Sequence, residues 1–263
     1  MPGKERPDYG IDAPKVIRNL AISGLSAWLV AAASWLGLLP RALPVGGASG
    51  GGVRIAIAPS LCYAGAALCA TACWMYFGSK FGKTAERDKL IGRIDWRGDE
   101  HVLDVGCGRG LILVGAAHRL IAGTAVGVDI WQAEDLSGNR AEVPLKNAEL
   151  EGVADRVTVL TADMRRLPFE DNSFDVVLSR AAIHNLYSPA DRATAIREIA
   201  RVLRPGGRAV IADIRHHREY RQTFAEGGCL DTRLLDSKIV SMLCAVFTMG
   251  SLRPNTMLAR KAI

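Results

Sequence analysis

Charged residues are absent from two long stretches near the amino terminus and recur every few residues thereafter. Residues 19–40 and 55–79 contain no Asp, Glu, Lys or Arg. A helix needs about 20 mostly apolar residues to cross the hydrocarbon core of a bilayer. Both stretches are long enough, and both are rich in Ala, Gly and Ser, which allow helices to pack closely in lipid. The pattern predicts two transmembrane helices, at about residues 19–39 and 55–78.

Two alternatives compete with this membrane hairpin. A signal peptide is disfavoured because the first stretch starts late, lacks a clean small-residue cleavage site and is followed by a second apolar stretch. The main alternative is a pair of buried helices in a soluble domain. Trp35, Trp74 and Tyr76 lie near segment ends, where interfacial aromatic residues are common. This placement favours the hairpin, so residues 1–79 are interpreted as a membrane anchor.

The distribution of basic residues predicts the orientation of the hairpin. Only Arg41 and Arg54 lie in the connecting loop, whereas the outer flanks carry Lys4, Arg6, Lys15 and Arg18 on one side and Lys80, Lys83, Arg87 and Lys89 on the other. Both ends are therefore expected in the cytoplasm, joined by a Gly-rich external turn. The net charge of +6 suits contact with anionic lipids. Because acidic residues are interspersed and no long basic block occurs, no nucleic-acid partner is expected.

From about residue 84 the pattern becomes that of an alternating α/β domain, assigned here to residues 80–263. Buried strands are predicted at 101–106, 123–130, 156–163, 174–180 and 208–214, separated by helical stretches. Helices between strands imply parallel neighbours with helices on both faces of the sheet. Near the carboxyl terminus, a helix is predicted within 218–228, a strand within 238–250 and a last strand within 255–263. The uncharged run 239–252 is short for a membrane span, and a membrane-facing surface is its alternative interpretation.

Three glycines follow the first predicted strand at alternating positions, Gly106, Gly108 and Gly110. Glycine permits a tight turn and a close approach of a ligand to the backbone, and the next helix offers N-terminal N–H groups. In dinucleotide-binding loops, G-x-G-x-x-G, the third glycine comes three residues after the second. The spacing here is G-x-G-x-G, which argues against a nicotinamide-dependent oxidoreductase.

Acidic residues accompany the ends of the first two strands. Asp104 precedes the first glycine by two residues, where it suits a cationic amino group better than a pyrophosphate. Asp129 lies where doubly wound folds place an acceptor for ribose hydroxyls, and a carboxylate accepts both protons of a vicinal diol. A ligand with a ribose, an amino acid end and no phosphate matches this pair. S-adenosylmethionine is such a ligand.

Motifs along the chain resemble those of the class I S-adenosylmethionine-dependent methyltransferases, most closely their small-molecule and quinone branch. The matching stretches are VLDVGCGRG, VGVDIW, TADMRRLPFEDNSFDVVLS and EIARVLRPGGRAVIAD, which occur in family order. The resemblance covers roughly residues 84–262 and leaves the hairpin outside. It implies a Rossmann-like, doubly wound sheet of seven strands whose last strand is antiparallel, with S-adenosylmethionine as the cofactor.

The same resemblance implies which residues hold the cofactor. Those expected to do so are Asp104, Gly106, Cys107, Gly108 and Gly110 at the methionine end, Asp129 at the ribose, Ile130, Trp131, Asp163 and Met164 around the adenine, and Ser179 and Arg180 closing the site. In this arrangement the cysteine is a small spacer and not a nucleophile.

Some of these residues have simpler interpretations. Asp163 could cap a turn, and Met164 could be ordinary core packing. The loop after the second strand, residues 131–143, is longer and more polar than in simple family members; it could wrap the cofactor or be a solvated loop. No metal site is expected, because the six cysteines contain no C-x-x-C pair.

Methyl transfer needs mainly alignment of donor and acceptor, because a sulfonium is already an activated donor. A general base is required only where the acceptor must lose a proton. His184, after the fourth strand, is the candidate base, with Asn185 and Tyr187 nearby. A histidine that hydrogen-bonds the backbone is the alternative. His216 and His217 are interpreted as surface or substrate-lid residues.

Together these features predict a membrane-anchored methyltransferase that modifies a small or lipid-soluble acceptor at the cytoplasmic face. The phospholipid amine, the isoprenoid quinone ring and the small apolar metabolite remain open as acceptor classes. The alternatives are a non-catalytic S-adenosylmethionine-binding membrane module and a methyltransferase for a membrane-protein side chain. The acceptor atom and the oligomeric state are left open.

Overall fold

A computed structural model describes residues 5–45, 53–132, 136–247 and 252–263. The chain divides into two compact units. The helical unit comprises residues 10–82 and 133–137, and the α/β unit comprises residues 1–9, 83–132 and 138–263. The division after Gly82 lies close to the boundary expected after residue 79. The first nine residues, however, group with the α/β unit and not with the helices.

The helical unit contains two long helices joined by a β-hairpin. Helix α1 is Pro14–Trp35 and helix α2 is Ile57–Phe77. Between them, strands β1 (Ala42–Val45) and β2 (Val53–Ala56) pair antiparallel, which the sequence pattern did not predict. Residues 46–52 of the expected external turn lie outside the described residues. A π-helical turn, Gly78–Gly82, continues α2.

Small residues form the contact between α1 and α2. Gly65 and Ala72 are buried seven residues apart on α2, and Gly24 and Ala31 are buried seven residues apart on α1. A methyl group added at Gly65 would lie 2.6 Å from the Trp28 side chain. A seven-residue repeat keeps one face of each helix towards its partner, and small side chains let the two backbones approach.

The outer faces of α1 and α2 are apolar. Leu29, Trp35, Tyr63 and Trp74 are among the exposed large side chains. In the most apolar 18-residue windows of the two helical spans, only 11% and 17% of the residues are buried. Both helices are long and apolar enough to cross a membrane by length and composition.

The α/β unit alternates helices and strands along the chain. In order, its elements are α3 (Lys83–Ile91), β3 (His101–Val105), α4 (Leu111–Ala117), β4 (Thr124–Asp129), α5 (Glu142–Leu150), β5 (Val157–Thr161), β6 (Phe174–Arg180), α6 (Pro189–Val202), β7 (Leu203–Asp213), α7 (His217–Glu226), β8 (Asp231–Leu234), α8 (Lys238–Phe247) and β9 (Asn255–Arg260).

The sheet has seven strands in the order β5-β4-β3-β6-β7-β9-β8. Strand β9 runs antiparallel to both neighbours, and the other pairs are parallel. This confirms the predicted doubly wound sheet with an antiparallel last strand. The strand order reverses between β3 and β6. In such sheets, ligands bind beyond the carboxyl ends of the strands at this switch point.

Successive residues of the central strands face opposite sides of the sheet. Val102 packs with α3, α4 and α5, whereas Leu103 packs with α6 and α7, and both are fully buried. Both faces of the sheet are therefore covered, which explains why its strands are continuous apolar runs and not alternating ones. Ser188 caps α6 by accepting the Ala190 N–H, and Pro144 lies in the first turn of α5.

The strand predicted within 238–250 is wrong. Residues 238–247 form helix α8, and the sixth strand of the α/β unit is the short segment Asp231–Leu234. Residues 248–251 lie outside the described residues. A short uncharged run is compatible with a strand or a helix. Here the edge position beside β9 is taken by β8, whose backbone pairs with Met257–Arg260.

Candidate active site

The loop after β3 depends on glycine at each of its three repeated positions. Gly106, Gly108 and Gly110 have φ angles of 73°, 51° and 81°, in the left-handed region that favours glycine. The Gly106 N–H donates to the Val128 carbonyl of β4 over 2.8 Å. A Cβ atom at Gly106 would lie 2.3 Å from the Cβ of Ala182, which follows β6. The loop therefore lies at the switch point, and the absence of a side chain at Gly106 lets Ala182 pack closely against its backbone.

Asp104 is an unpaired carboxylate inside the protein. It is 1% exposed, and neither oxygen has a hydrogen-bond partner among the described residues. Burial raises its pKa to about 7 and the charge of Asp129 adds to the rise, whereas the nearby Leu113 N–H and the charge of Arg180 oppose it. A buried charge without a partner is costly, so such a group marks a place where a cation binds. This fits the expected position of the cofactor's amino group.

Asp129 ties the glycine loop to the segment after β4. Its Oδ2 accepts the Gly108 N–H over 2.8 Å, and its Oδ1 accepts the Trp131 N–H over 2.6 Å and the Asn139 amide over 3.2 Å. The two oxygens of a carboxylate can accept about four hydrogen bonds. The three protein donors therefore leave Asp129 able to accept from a hydroxyl group. Asn139 is also buried, and its Oδ1 lacks a partner among the described residues.

His184 and Asp213 form a hydrogen-bonded pair at the end of β6 and β7. The ring nitrogen Nδ1 of His184 contacts Oδ1 of Asp213. The backbone N–H of His184 donates to Oδ2 of the same carboxylate over 3.1 Å. The carboxylate also accepts the Ile214 N–H and the Tyr220 hydroxyl, over 2.7 and 3.0 Å. Burial and the neighbouring carboxylate raise the pKa of Tyr220, so that it stays a donor. The imidazole is thus held by a carboxylate that is itself fixed on three sides.

Residues 103–211 match the family model described as a methyltransferase domain. The match spans β3 to β7, including the glycine loop, Asp129 and His184. This part of the chain is therefore similar to methyltransferase domains. The residues present fit S-adenosylmethionine as a cofactor: the unpaired Asp104 suits its amino group, and the spare capacity of Asp129 suits its ribose.

Curated proteins similar to the α/β unit include two bacterial methyltransferases. The chain is 40% identical over 127 residues to methyltransferase GfsG of Streptomyces halstedii. The aligned region covers 48% of this chain and 42% of the relative. It is 34% identical over 125 residues to a demethylmenaquinone methyltransferase of Lactiplantibacillus plantarum. The aligned region covers 47% of this chain and 49% of the relative. The chain thus spans about half the length of these relatives.

A solved structure supports the fold of the domain. Geranyl diphosphate C-methyltransferase from Streptomyces coelicolor, crystallised with geranyl diphosphate and S-adenosyl-L-homocysteine, superposes with a TM-score of 0.52 at 19% identity. The superposition covers 69% of this chain and 79% of that enzyme. At this identity the similarity establishes the fold alone.

The residues predicted around the adenine lie on the same edge of the α/β unit, but their contacts differ. Trp131 has a φ of 61° and donates its indole N–H to the Thr161 hydroxyl over 2.7 Å. Ile130 is half exposed. Asp163 caps a turn by accepting the Arg165 N–H and pairs with that guanidinium, which lowers its pKa. This is the simpler interpretation considered for Asp163, and its contact with adenine stays a prediction.

The remaining predicted residues are Met164, Ser179, Arg180 and Cys107. A Cβ atom at Gly106 would lie 3.6 Å from the Met164 side chain, which also packs on the core. Ser179 is buried and donates to the Val105 carbonyl over 2.8 Å, so it fixes β6 against β3. Arg180 pairs with Glu86 of α3. Burial raises the pKa of Cys107 well above its usual value, consistent with a spacer and not a nucleophile.

Sequence reasoning missed Asp213 and Tyr220. Asp213 ends β7, and a polar residue at a strand end was the signal that had identified Asp104 and Asp129. Tyr220 lies one helical turn into α7 and carried no local signal. His216 pairs with Glu219, and His217 contacts the Asn255 carbonyl. In the described parts of the chain, no group of three or more His, Cys, Asp or Glu side chains could hold a metal ion.

Proposed function

We propose that this protein transfers a methyl group from S-adenosylmethionine to a protic group of a small or lipid-soluble acceptor at the cytoplasmic face of a membrane. The observation that carries the proposal is the unpaired, buried Asp104 beside the glycine loop, on the same sheet edge as the His184–Asp213 pair. The first feature fits the cationic end of the cofactor, and the second fits a base for the acceptor.

The residues that would hold the cofactor lie at the carboxyl ends of β3, β4 and β5, on one side of the switch point. Asp104 would pair with the amino group, with the backbone of Gly106 and Gly108 against the methionine chain. Asp129 would accept from the ribose hydroxyls. Trp131 and Met164 would flank the adenine. Support comes from the unpaired oxygens of Asp104 and from the spare acceptor capacity of Asp129.

His184 is proposed to remove a proton from the acceptor. When bound, the sulfonium of S-adenosylmethionine supplies an already activated methyl group. With Nδ1 of His184 engaged by Asp213, Nε2 is the nitrogen that can accept a proton. Asp213 holds this tautomer and stabilises the imidazolium that results, as an orienting carboxylate does in other His–Asp pairs. Tyr220 and the Ile214 N–H fix Asp213.

A base of this kind favours a hydroxyl acceptor over an amine that is already neutral. It serves an acceptor hydroxyl directly, or a phenol in which loss of the proton activates a ring carbon. The similarity to a demethylmenaquinone methyltransferase supports a lipid-soluble acceptor. The exposed apolar surfaces of α1 and α2 support the membrane location, because soluble proteins seldom expose large apolar patches.

The most informative experiment combines localisation with product identification. The full chain is expressed with a carboxyl-terminal tag, and membranes are washed at high salt and at alkaline pH. We expect the protein to stay in the membrane pellet and to resist extraction without detergent. Release into the supernatant would contradict the anchor.

Purified protein in detergent is then incubated with methyl-labelled S-adenosylmethionine and total membranes. Label in the organic phase, absent with His184→Gln, is the expected result. Label in protein would favour a membrane-protein side chain as acceptor. Tight binding of S-adenosylhomocysteine with no label in any fraction would favour a non-catalytic membrane module.

A further inference from the structure

Residues 5–9, near the amino terminus, belong to the α/β unit. Tyr9 is 8% exposed and belongs to the apolar core around α3 and α4. Its hydroxyl donates to Glu151, which follows α5, and its carbonyl accepts from Lys83 Nζ over 2.9 Å. Burial acts to raise the pKa of Glu151, but hydrogen bonds and the charge of Arg87 lower it overall, so Glu151 is an ionised acceptor. Tyr9 therefore anchors the chain at this point.

The residue next to this anchor contacts the glycine loop. Arg109, between Gly108 and Gly110, donates through Nε to the Asp8 carbonyl over 2.9 Å and through a terminal nitrogen to the Asp8 carboxylate over 2.8 Å. The buried Asn147 side chain accepts the Asp8 N–H and donates to both the Asp8 and Arg109 carbonyls, over 2.9–3.0 Å. Asp8 is thus joined to the loop by side chain and backbone together.

The other arm of Arg109 reaches the segment beside Asp129. A guanidinium nitrogen donates to the Gly138 carbonyl over 3.3 Å, and a Cβ atom at Gly138 would lie only 2.6 Å from it. The next residue, Asn139, donates to Asp129 and keeps a buried, unpartnered amide oxygen. Arg109 therefore connects Asp8 on one side with the segment that lines the ribose position on the other.

We propose that Asp8 and Tyr9 form a strap that positions Arg109, and through it the Gly138–Asn139 segment, for binding the nucleoside end of the cofactor. This inference rests on the cofactor site proposed above. The guanidinium is suited to the role because its planar fork can donate in two directions at once, which an ammonium group cannot reproduce. Asp8 and Arg109 are positioning residues and need not touch the reacting atoms.

The strap is tested by binding measurements on the full chain in detergent. Two probes are titrated: S-adenosylhomocysteine and methylthioadenosine, which has the nucleoside but no amino acid end. Arg109→Lys is expected to weaken both probes about tenfold, because it loses the fork between Asp8 and Gly138. Asp8→Asn, which keeps the backbone contacts, is expected to weaken both about threefold. In the double variant the losses should be less than multiplicative, because the two residues act through one contact.

Glu5→Gln is the matched control. Glu5 lies in the same segment and pairs with the exposed Lys146, but it has no contact with Arg109. Its affinities should match those of the unmodified chain within about twofold, as expected for an exposed pair. Melting temperatures without ligand separate a folding defect from a binding defect. Asp8→Asn changes an exposed side chain, so it tests the strap even if Arg109→Lys fails to fold.

The possible outcomes separate the strap from the cofactor site itself. Equal affinities for the unmodified chain, Arg109→Lys and Asp8→Asn would overturn the strap while leaving the site intact. So would an equal loss in Glu5→Gln, or a weakening of S-adenosylhomocysteine without any change for methylthioadenosine. Absence of binding by the unmodified chain would overturn both the strap and the proposed cofactor site.

Discussion

Nδ1 of His184 is hydrogen-bonded to Oδ1 of Asp213, although 29 residues separate them in the chain. The pairing arises because β6 and β7 are parallel neighbours, so that residues beyond their carboxyl ends meet. From the sequence, His184 could be either a base or a histidine that hydrogen-bonds the backbone. The contact with Asp213 shows that its imidazole is held in one orientation. Only one ring nitrogen is left to face an acceptor.

Replacing His184 with Gln should abolish most of the methyl transfer without removing the cofactor site. Gln has comparable polarity but cannot act as a base. We expect kcat to fall by about 10² to 10⁴, the usual contribution of a general base, and the affinity for S-adenosylhomocysteine to stay the same. Turnover with labelled cofactor and titration with S-adenosylhomocysteine measure the two quantities. Full turnover in the variant would contradict the proposed role.

Tyr220→Phe should reduce kcat through Asp213. The substitution keeps the ring in the core but removes one of the donors that hold the carboxylate. A hydrogen bond to a charged group contributes about 1.5–3 kcal/mol, so kcat is expected to fall about tenfold with little change in cofactor affinity. Tyr187→Phe makes the same chemical change on a fully exposed side chain and is the control. Equal kcat values for the two variants would exclude a positioning role for Tyr220.

Asp104→Asn should stabilise the ligand-free protein at neutral and alkaline pH. The folded pKa of about 7 exceeds the ordinary value of 3.8. The free energy of unfolding of the wild type should therefore fall as the pH rises from about 4 to about 7, whereas that of the variant should not show this fall. The decrease in the free energy of unfolding over this range is about 4 kcal/mol at most, because each pKa unit corresponds to about 1.36 kcal/mol. Melting temperatures of both proteins between pH 4 and 8 test this; a constant difference would contradict it.

The same variant should lose affinity only for ligands that carry the amino acid end. Asn lacks the charge that pairs with an ammonium group, so S-adenosylhomocysteine is expected to bind at least tenfold more weakly. Methylthioadenosine, which has no amino group there, should bind as it does to the wild type. A loss for both ligands would indicate a disturbed loop and not a missing charge.

Gly106→Ala should be far more damaging than Gly152→Ala, although the two glycines have nearly identical φ angles of 73° and 74°. An added Cβ at Gly152 meets nothing within 4 Å, so only backbone strain of about 1–2 kcal/mol is expected. At Gly106 the Cβ would overlap Ala182, which adds about 1–3 kcal/mol of overpacking. Melting temperatures and cofactor titrations compare the two. Equal effects would show that the loop can move away from Ala182.

Gly65→Leu should separate α1 from α2. A side chain at Gly65 would overlap Trp28 and the carbonyl of Gly24, so the two backbones could not keep their close approach. Ala66→Leu adds similar bulk on the exposed side of the same helix and is the control. We expect a lower melting temperature in detergent for Gly65→Leu alone, with a cost of about 1–3 kcal/mol. Equal melting temperatures would contradict packing through this seam.

Much of the fold followed from local patterns in the sequence. Apolar strands ended by acidic residues identified β3 and β4. The G-x-G-x-G spacing predicted a glycine loop, and all three glycines have the positive φ that such a loop requires. These features are local: period, composition and turn chemistry depend on neighbouring residues.

The sequence by itself thus determined the alternating α/β pattern, the two uncharged helices and the acidic pair at the glycine loop. Only the tertiary structure decided that residues 238–247 are helical, that Asp213 holds His184 and that Asp8 reaches Arg109. An apolar run of this length suits either a strand or a helix, and the choice depends on which segment occupies the sheet edge. The two side-chain pairings join residues 29 and 101 positions apart, which become neighbours only when the sheet and its helices pack together.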